Sequence, residues 1–356
     1  MKMSNVLNMK IIPALGLALG LVACSASAKN EEIPMKKFTD QPYVSLDING
    51  EGCSFVVLVN NIPVYRQYDI EPILLELPVN QYMKSGINSI QIGLDQPEDG
   101  NQQPLKGKTC SVKLDYLVKE KGSDNQYKLG ELNYVAPSDK IFNTPNKEYI
   151  KGSTSSQFLE ITNNKVEKTD KEDAQFQIGD PNIQANNESY FAYNFDIQKV
   201  QKQKGALVEN TLNIRLPYDN KVLTEGETLE NNETTRQELI QVYKQIISDI
   251  GKKDFAALKP MFEPVMQNNS VSLYLPESQT NVLGNIEETA NDSHYKLYKD
   301  INFDNTVLNI FGNDRLAQLT WWDSTAILGF NKVGEEGSTS YSLTFAKING
   351  KWKVVL

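Results

Sequence analysis

The chain has 356 residues, and its 36 Lys+Arg against 45 Asp+Glu leave a formal net charge of −9 at pH 7. Such a surface repels nucleic acid and anionic membrane faces, which excludes the protein classes that collect either through a basic patch. One histidine occurs, so a two-His metal motif is excluded and any Ser-His-Asp triad or Cys-His pair would have to use it. The length suggests two domains, each large enough to bury a core.

The chain opens on a leader pattern. Lys2 and Lys10 supply a positive end, and Ile11 to Val22 is almost wholly apolar, broken only by Pro13, Gly16 and Gly20. That run is about a dozen residues, short of the roughly 20 that a membrane-spanning helix needs, and it fits a signal-peptide core. It closes on Leu21-Val22-Ala23-Cys24. Small or aliphatic residues running directly into a cysteine resemble the bacterial lipobox, in which the leader is cut before the cysteine and the cysteine is acylated. The resemblance implies a signal peptide over residues 1–23, lipid attachment at Cys24, and a membrane partner reached through the anchor. Two or three acyl chains hold a protein stably where one holds it marginally. Residues 24–37 are mostly polar and read as a flexible tether. Ser25 stands directly after Cys24, where an acidic residue can favour inner-membrane retention. This resembles the pattern sorted to the outer membrane and implies a place on its periplasmic side.

With Cys24 lipidated, Cys53 and Cys110 remain as an even pair in an oxidising compartment. Both sit in strand-like segments, and the expectation is a disulfide between them, with two buried free thiols as the alternative.

From Tyr43 onward the apolar residues alternate. Val44, Leu46 and Ile48 share a face, Phe55 to Val59 is a continuous apolar run, and Asn49-Gly50-Glu51-Gly52 between them reads as hairpin punctuation. Leu75 and Leu77 lead into Asn80 to Ser85 and a turn-like Gly86-Ile87-Asn88, before a strand through Ile90, Ile92 and Leu94. Short strands around such a Gly-Ile-Asn turn resemble the jelly-roll and galactose-binding-like sandwiches. Cys110, Val112, Leu114 and Tyr116 alternate again, as do Phe191 to Ile197 and Leu212, Ile214 and Leu216. Asp95 to Gly100, Asn143 to Lys151 and Thr162 to Asp173 read as polar, solvated connections. Residues 38–217 are therefore expected to form an antiparallel β-sandwich.

Composition shifts over Tyr218 to Thr234, which marks a boundary. Thr234, with Gln237 three residues on, has capping-box character. Leu239, Val242, Tyr243, Ile246, Ile247 and Ile250 then follow at helical spacing until Gly251. A second helix is expected over Asp254 to Met266, interrupted by Pro260 and Pro264, and a short third near Ile286 to Tyr298. Strands follow at Val307–Ile310, Leu316–Trp322, Ala326–Phe330, Tyr341–Ile348 and Trp352–Leu356. The fold class is thus mainly β with α+β. Residues 232–356, helices first and then strands ending on Asn349-Gly350-Lys351-Trp352-Lys353-Val354, resemble the nuclear-transport-factor-like superfamily. The resemblance implies helices packed on a curved antiparallel sheet.

Little chemistry is marked. His294 lies among Asn291, Asp292, Ser293 and Tyr295 and reads as a solvated surface residue. Gly329 and Gly334 lack the spacing of a phosphate loop. Asp95, Glu98 and Asp99 lack the alternating oxygen ligands of a calcium loop, so no metal and no cofactor is expected. Thr320-Trp321-Trp322-Asp323 places adjacent tryptophans on opposite faces of a strand. One reading makes one ring core and the other partly covered. The other makes Trp321 or Trp322 a stacking surface with Asp323 as a polar contact. Enzymes of that superfamily set an acid and a tyrosine inside the curved sheet, a role the resemblance would give to Asp323 and Tyr341. The residue-level alternative is a surface acid and a strand tyrosine. The expectation is a non-catalytic binding protein with a protein or glycan partner and no nucleic acid. The alternatives are an envelope immunity or inhibitor protein against a toxin, and a cell-envelope hydrolase.

Overall fold

The computed structural model describes residues 41–95, 107–120, 126–137, 149–154, 158–162, 165–169, 205–214, 216, 218, 220–321 and 325–356. The leader, Cys24, the tether, the loop after Asp95, the run Phe191 to Ile197, Trp322 and Asp323 lie outside the described residues.

Eleven strands come first: β1 (Pro42–Glu51), β2 (Ser54–Val59), β3 (Ile62–Gln67), β4 (Ile73–Pro78), β5 (Gly86–Asp95), β6 (Thr109–Glu120), β7 (Gln126–Pro137), β8 (Ile150–Thr154), β9 (Phe158–Thr162), β10 (Lys165–Thr169) and β11 (Gly205–Ile214). They make two antiparallel sheets, ordered β4-β1-β6-β7-β8 and β11-β5-β2-β3, with β9 and β10 paired apart. Alternation aims Val44, Leu46 and Ile48 of β1 and Val112, Leu114 and Tyr116 of β6 into one buried cluster. Phe55, Val57 and Val59 of β2 and Ile90, Ile92 and Leu94 of β5 enter it from the other sheet. Cys53, just before β2, is disulfide-bonded to Cys110 of β6, so the bond ties one sheet to the other inside that core. It closes a separation of 57 residues, a constraint on the unfolded chain worth about 4 kcal/mol in the entropy model.

Register corrects several expected turns. Asn49, Gly50 and Glu51 belong to β1, with Asn49 and Gly50 flanked by Leu74 and Ile73 of β4 and by Lys113 and Val112 of β6. The turn itself is Gly52-Cys53. Gly52 has φ 76°, and a Cβ there would stand 2.0 Å from the Thr109 oxygen, so no side chain fits. Gly86-Ile87-Asn88 is no turn but the start of β5, paired with Ile214 to Leu212 of β11. The polar segments at Ile150–Lys151 and Lys165–Thr169 are strands as well, because a ladder needs backbone partners rather than apolar side chains.

The C-terminal part opens on α1 (Glu233–Lys252), α2 (Phe255–Leu273) and α3 (Val282–Asn291). Asn232, not Thr234, caps α1 by accepting from the Thr235 N–H at 2.9 Å. Gly251 does not stop it; Lys253 does, in the left-handed region at φ 61°. Neither proline interrupts α2. Pro264 has no N–H for the carbonyl of Pro260, and Lys353 Nζ donates to that oxygen instead at 2.7 Å. The third helix starts earlier than expected and ends at Asn291, leaving Tyr295 to Leu297 as a strand.

Strands β12 (Tyr295–Leu297), β13 (Thr306–Phe311), β14 (Leu316–Trp321), β15 (Leu328–Lys332), β16 (Ser338–Tyr341), β17 (Phe345–Ile348) and β18 (Lys351–Val354) complete the fold. Their sheets are β12-β15-β16 and β13-β14-β17-β18. The single strand expected over Tyr341–Ile348 is two. Tyr341 pairs with Leu328 in one sheet and Phe345 with Ala317 and Val354 in the other. Between them Thr344 N–H donates to the Leu356 carbonyl and Thr344 O accepts from Val355 N–H. Leu239, Tyr243 and Ile246 of α1, Phe262 and Val265 of α2 and Ile286 of α3 share a buried cluster with Leu319, Phe330, Phe345 and Val354. The Asn349-Gly350 turn has φ 50° and 70°, as a tight hairpin requires.

The two parts meet along a bonded seam. The Asn60-Asn61 turn of the β2–β3 hairpin docks on the β13–β14 turn, where Gly312 N–H donates to the Asn61 carbonyl and Asn61 Nδ2 to Asn313 Oδ1. Ile62 is buried with Leu316, Ala346 and Val355. A 3-10 turn at Asn80–Tyr82 faces the end of α2, and Asn80 Nδ2 donates to the Ser272 carbonyl at 2.7 Å. Tyr274, just past α2, packs edge-on to Tyr218 within the sandwich core. The stretch between the parts is held on both sides. Tyr218 and Asn220 bond to Asn80 and Gln81, while Glu227 N–H and Leu229 N–H donate to the Lys347 and Asp314 carbonyls.

Candidate binding surfaces

Trp321 ends β14. Strand alternation sets it on the face of Ala317 and Leu319, which are fully buried under the helices. Trp321 is only half-buried. Its backbone N–H donates to the Thr325 carbonyl at 2.9 Å, and its cross-strand neighbour is Thr306 of β13. Arg236 of α1 reaches the same strand end, bonding the Phe303 carbonyl and lying 3.4 Å from the Thr306 oxygens. Tyr341 is turned toward α3 instead: its hydroxyl donates to the Asn285 carbonyl at 3.0 Å and lies 2.5 Å from Thr289 Oγ1. Burial pushes that phenol up from its ordinary value, as expected of a tie between sheet and helix.

His294 is a surface residue, its side chain 82 % exposed. Its ring Nδ1 lies 2.7 Å from Asp292 Oδ1, and its backbone N–H donates to the same oxygen. Those two hydrogen bonds hold the Asp292 carboxyl below its usual range. Tyr43 and Tyr65 are pushed up to about 12, by burial first and then by Glu76 and Asp69 respectively. These phenols stay protonated at any physiological pH.

Register brings together four acids that no linear motif announces. Glu76 of β4, Asp47 of β1, Asp115 of β6 and Glu131 of β7 stand directly opposite one another in turn, a row across the outer face of the first sheet. Like charges in that relation repel, and two lysines offset the repulsion. Lys119 contacts Glu76 at 2.5 Å, and Lys128 contacts Asp115 and Glu131 at 2.9 and 2.5 Å. Glu76 also accepts from Ser45 Oγ, and its carboxyl lies below the usual range: burial raises it, but hydrogen bonds from Lys119 and Ser45 outweigh that. Asp47 has no lysine of its own among the described residues. Burial, then the charges of Glu76 and Asp115, push its carboxyl up despite nearby Lys119.

Among the described residues no group of three or more His, Cys, Asp or Glu side chains is placed to hold a metal ion. No described helix is long and apolar enough to cross a membrane. No protein-family model, curated protein or solved structure matches the chain.

Proposed function

We propose that this protein is a lipoprotein of the bacterial envelope, held on the periplasmic side of the outer membrane by acyl chains on Cys24, and that it works by binding rather than by catalysis. The observation that carries the binding reading is Trp321. Its strand neighbours Ala317 and Leu319 are fully buried on the same face, yet Trp321 keeps part of its surface open at the end of the strand. A large aromatic in that position offers a stacking surface for a glycan or a protein side chain. The resemblance of residues 232–356 to the nuclear-transport-factor-like superfamily agrees, since many of its members bind without catalysing, and a fold by itself confers no chemistry.

A second reading is an immunity or inhibitor protein against a basic toxin. The acidic balance and the carboxylate row on the outer face of the first sheet favour it.

The test is a pull-down from envelope extracts with the mature, acylated protein, run beside Trp321→Ala and Cys24→Ser, with melting curves in the presence of envelope sugars. The wild type should take up a fatty-acid analogue and capture a partner or shift in melting temperature with a sugar. Trp321→Ala should lose the capture or shift while keeping the label, and Cys24→Ser should lose the label. Undiminished labelling of Cys24→Ser would remove the anchor from the proposal. Product released from envelope material by the purified protein would remove the non-catalytic reading.

A further inference from the structure

The seam between the sandwich and the C-terminal part is rich in carboxamides. Asn220 Nδ2 and Asn268 Nδ2 both donate to the backbone oxygen of Gln81, at 2.6 and 3.4 Å. Asn269 is next to Asn268 in α2, and Asn80 completes the group through its bond to Ser272. Each of these five side chains is at least nine-tenths buried. Three of their oxygens have no donor among the described residues: Gln81 Oε1, Asn220 Oδ1 and Asn269 Oδ1. A buried carbonyl oxygen without a donor forfeits its hydration with nothing in return, and native proteins rarely tolerate this.

The three cases differ. The Gln81 amide lies against the Tyr82 hydroxyl, and exchanging its two ends lets that hydroxyl donate to Oε1. Asn220 has no such remedy. Turning its amide would aim Oδ1 at the Gln81 carbonyl oxygen and break the 2.6 Å bond. Of the side-chain donors beside Asn269 along α2, Asn268 Nδ2 is on Gln81, Ser270 Oγ on the Leu275 carbonyl and Ser272 Oγ on the Asn268 carbonyl.

We propose that the seam is a hydrated joint, in which ordered water molecules donate to Asn220 Oδ1 and Asn269 Oδ1. A buried water makes about three hydrogen bonds and settles where polar groups surround it, and carboxamides with free lone pairs meet that need. Water fits better than a cation, because the residues bonded around Gln81 supply neutral oxygens and no carboxylate. Buried water would let two rigid parts share an interface without an exact steric match. This inference does not depend on the binding reading.

The experiment is a crystal structure of the mature chain at a resolution that shows individual waters, with Asn269→Leu as a companion. Density should stand about 2.7–3.2 Å from each of the two oxygens. A dry seam, or amides rearranged to bond one another, would overturn the proposal. Asn269→Leu keeps the branch at Cγ and removes both the oxygen and the amide N–H, with Asn269→Ala beside it to separate that loss from the crowding of a larger side chain. If water is bound there, the variant should melt a few degrees lower; a higher melting temperature would show that the oxygen had been unsatisfied and dry. Replacing sodium and potassium by a bulky organic cation should leave the wild-type melting temperature unchanged, and a fall would mean that a metal ion occupies the joint instead.

Discussion

Asn80 is the residue whose loss should damage both parts of the molecule at once. Its side chain is fully buried. Oδ1 accepts from the Val44 N–H at 2.6 Å, and Nδ2 donates to the Ser272 carbonyl at 2.7 Å. The first bond lies within the sandwich and the second reaches α2. Asn80→Ala therefore orphans one backbone donor and one backbone acceptor, both away from solvent. At roughly 2 kcal/mol for each buried group left unsatisfied, the loss is about 4 kcal/mol. That is a large share of the roughly 5–15 kcal/mol typical of a folded protein. The sequence provides the assay, because its three tryptophans are Trp321, Trp322 and Trp352, all in the C-terminal part. Fluorescence in urea reads that part, while the far-ultraviolet β signal is dominated by the sandwich. Both transitions should move to lower urea together. Thr224→Ala is the control, since the bond from its hydroxyl to the Lys221 carbonyl is exposed and water can replace it at a cost below about 1 kcal/mol. A loss below about 1 kcal/mol for Asn80→Ala, or a loss confined to the sandwich signal, would refute the reasoning.

Two carboxylates should respond to pH with opposite sign. Asp47 is pushed up by burial and by the acids beside it, so its ionised form weakens the fold at neutral pH. Protonation relieves this as pH falls through its folded value. Asp47→Asn should stabilise by roughly 0.2–1 kcal/mol at pH 7, and the gain should vanish in acid; equal melting temperatures at pH 7 would count against the repulsion. Glu238 is lowered, chiefly by the hydrogen bond from Lys347 at 2.8 Å, and it also accepts from Trp352 Nε1 at 3.0 Å. Its contribution is present above the ordinary carboxylate value and lost as pH falls through the folded one. Because the pair is partly exposed, Glu238→Gln should cost below about 1 kcal/mol. It should also flatten the acid-range change in Trp352 emission, and an unchanged titration would assign that change elsewhere.

The sandwich was legible because period-two alternation is a direct image of a sheet with one buried face. Val44, Leu46 and Ile48 in sequence are the same three side chains in the core. Turn chemistry misled where backbone pairing overrode it. Asn49 and Gly50 look like a hairpin and are held in β1 by strands on both sides. The prolines of α2 misled for the opposite reason. Proline breaks a helix by orphaning a carbonyl, and the donor that meets the Pro260 oxygen is Lys353, far along the chain and invisible to any local window.

The same distance hid the surfaces that only register and docking assemble. Asp47, Glu76, Asp115 and Glu131 are unremarkable singly, each an outward residue on an alternating strand; only register turns them into a row. The seam is the stronger case, for Asn80 and Gln81 lie before an expected turn, Asn220 in the boundary stretch, and Asn268 two residues past the expected end of the second helix. Their carboxamides are selected by what they face, namely backbone groups at Val44, Gln81 and Ser272 that a hydrophobic seam would have left without partners. Polar side chains at such positions fix orientation as well as contact, because a hydrogen bond is directional where apolar packing is not. With the joint bonded through Asn80, Asn220 and Asn268, Trp321 is held in a fixed relation to the sandwich, and on the proposed reading that fixed relation is what a binding surface on the C-terminal part would require.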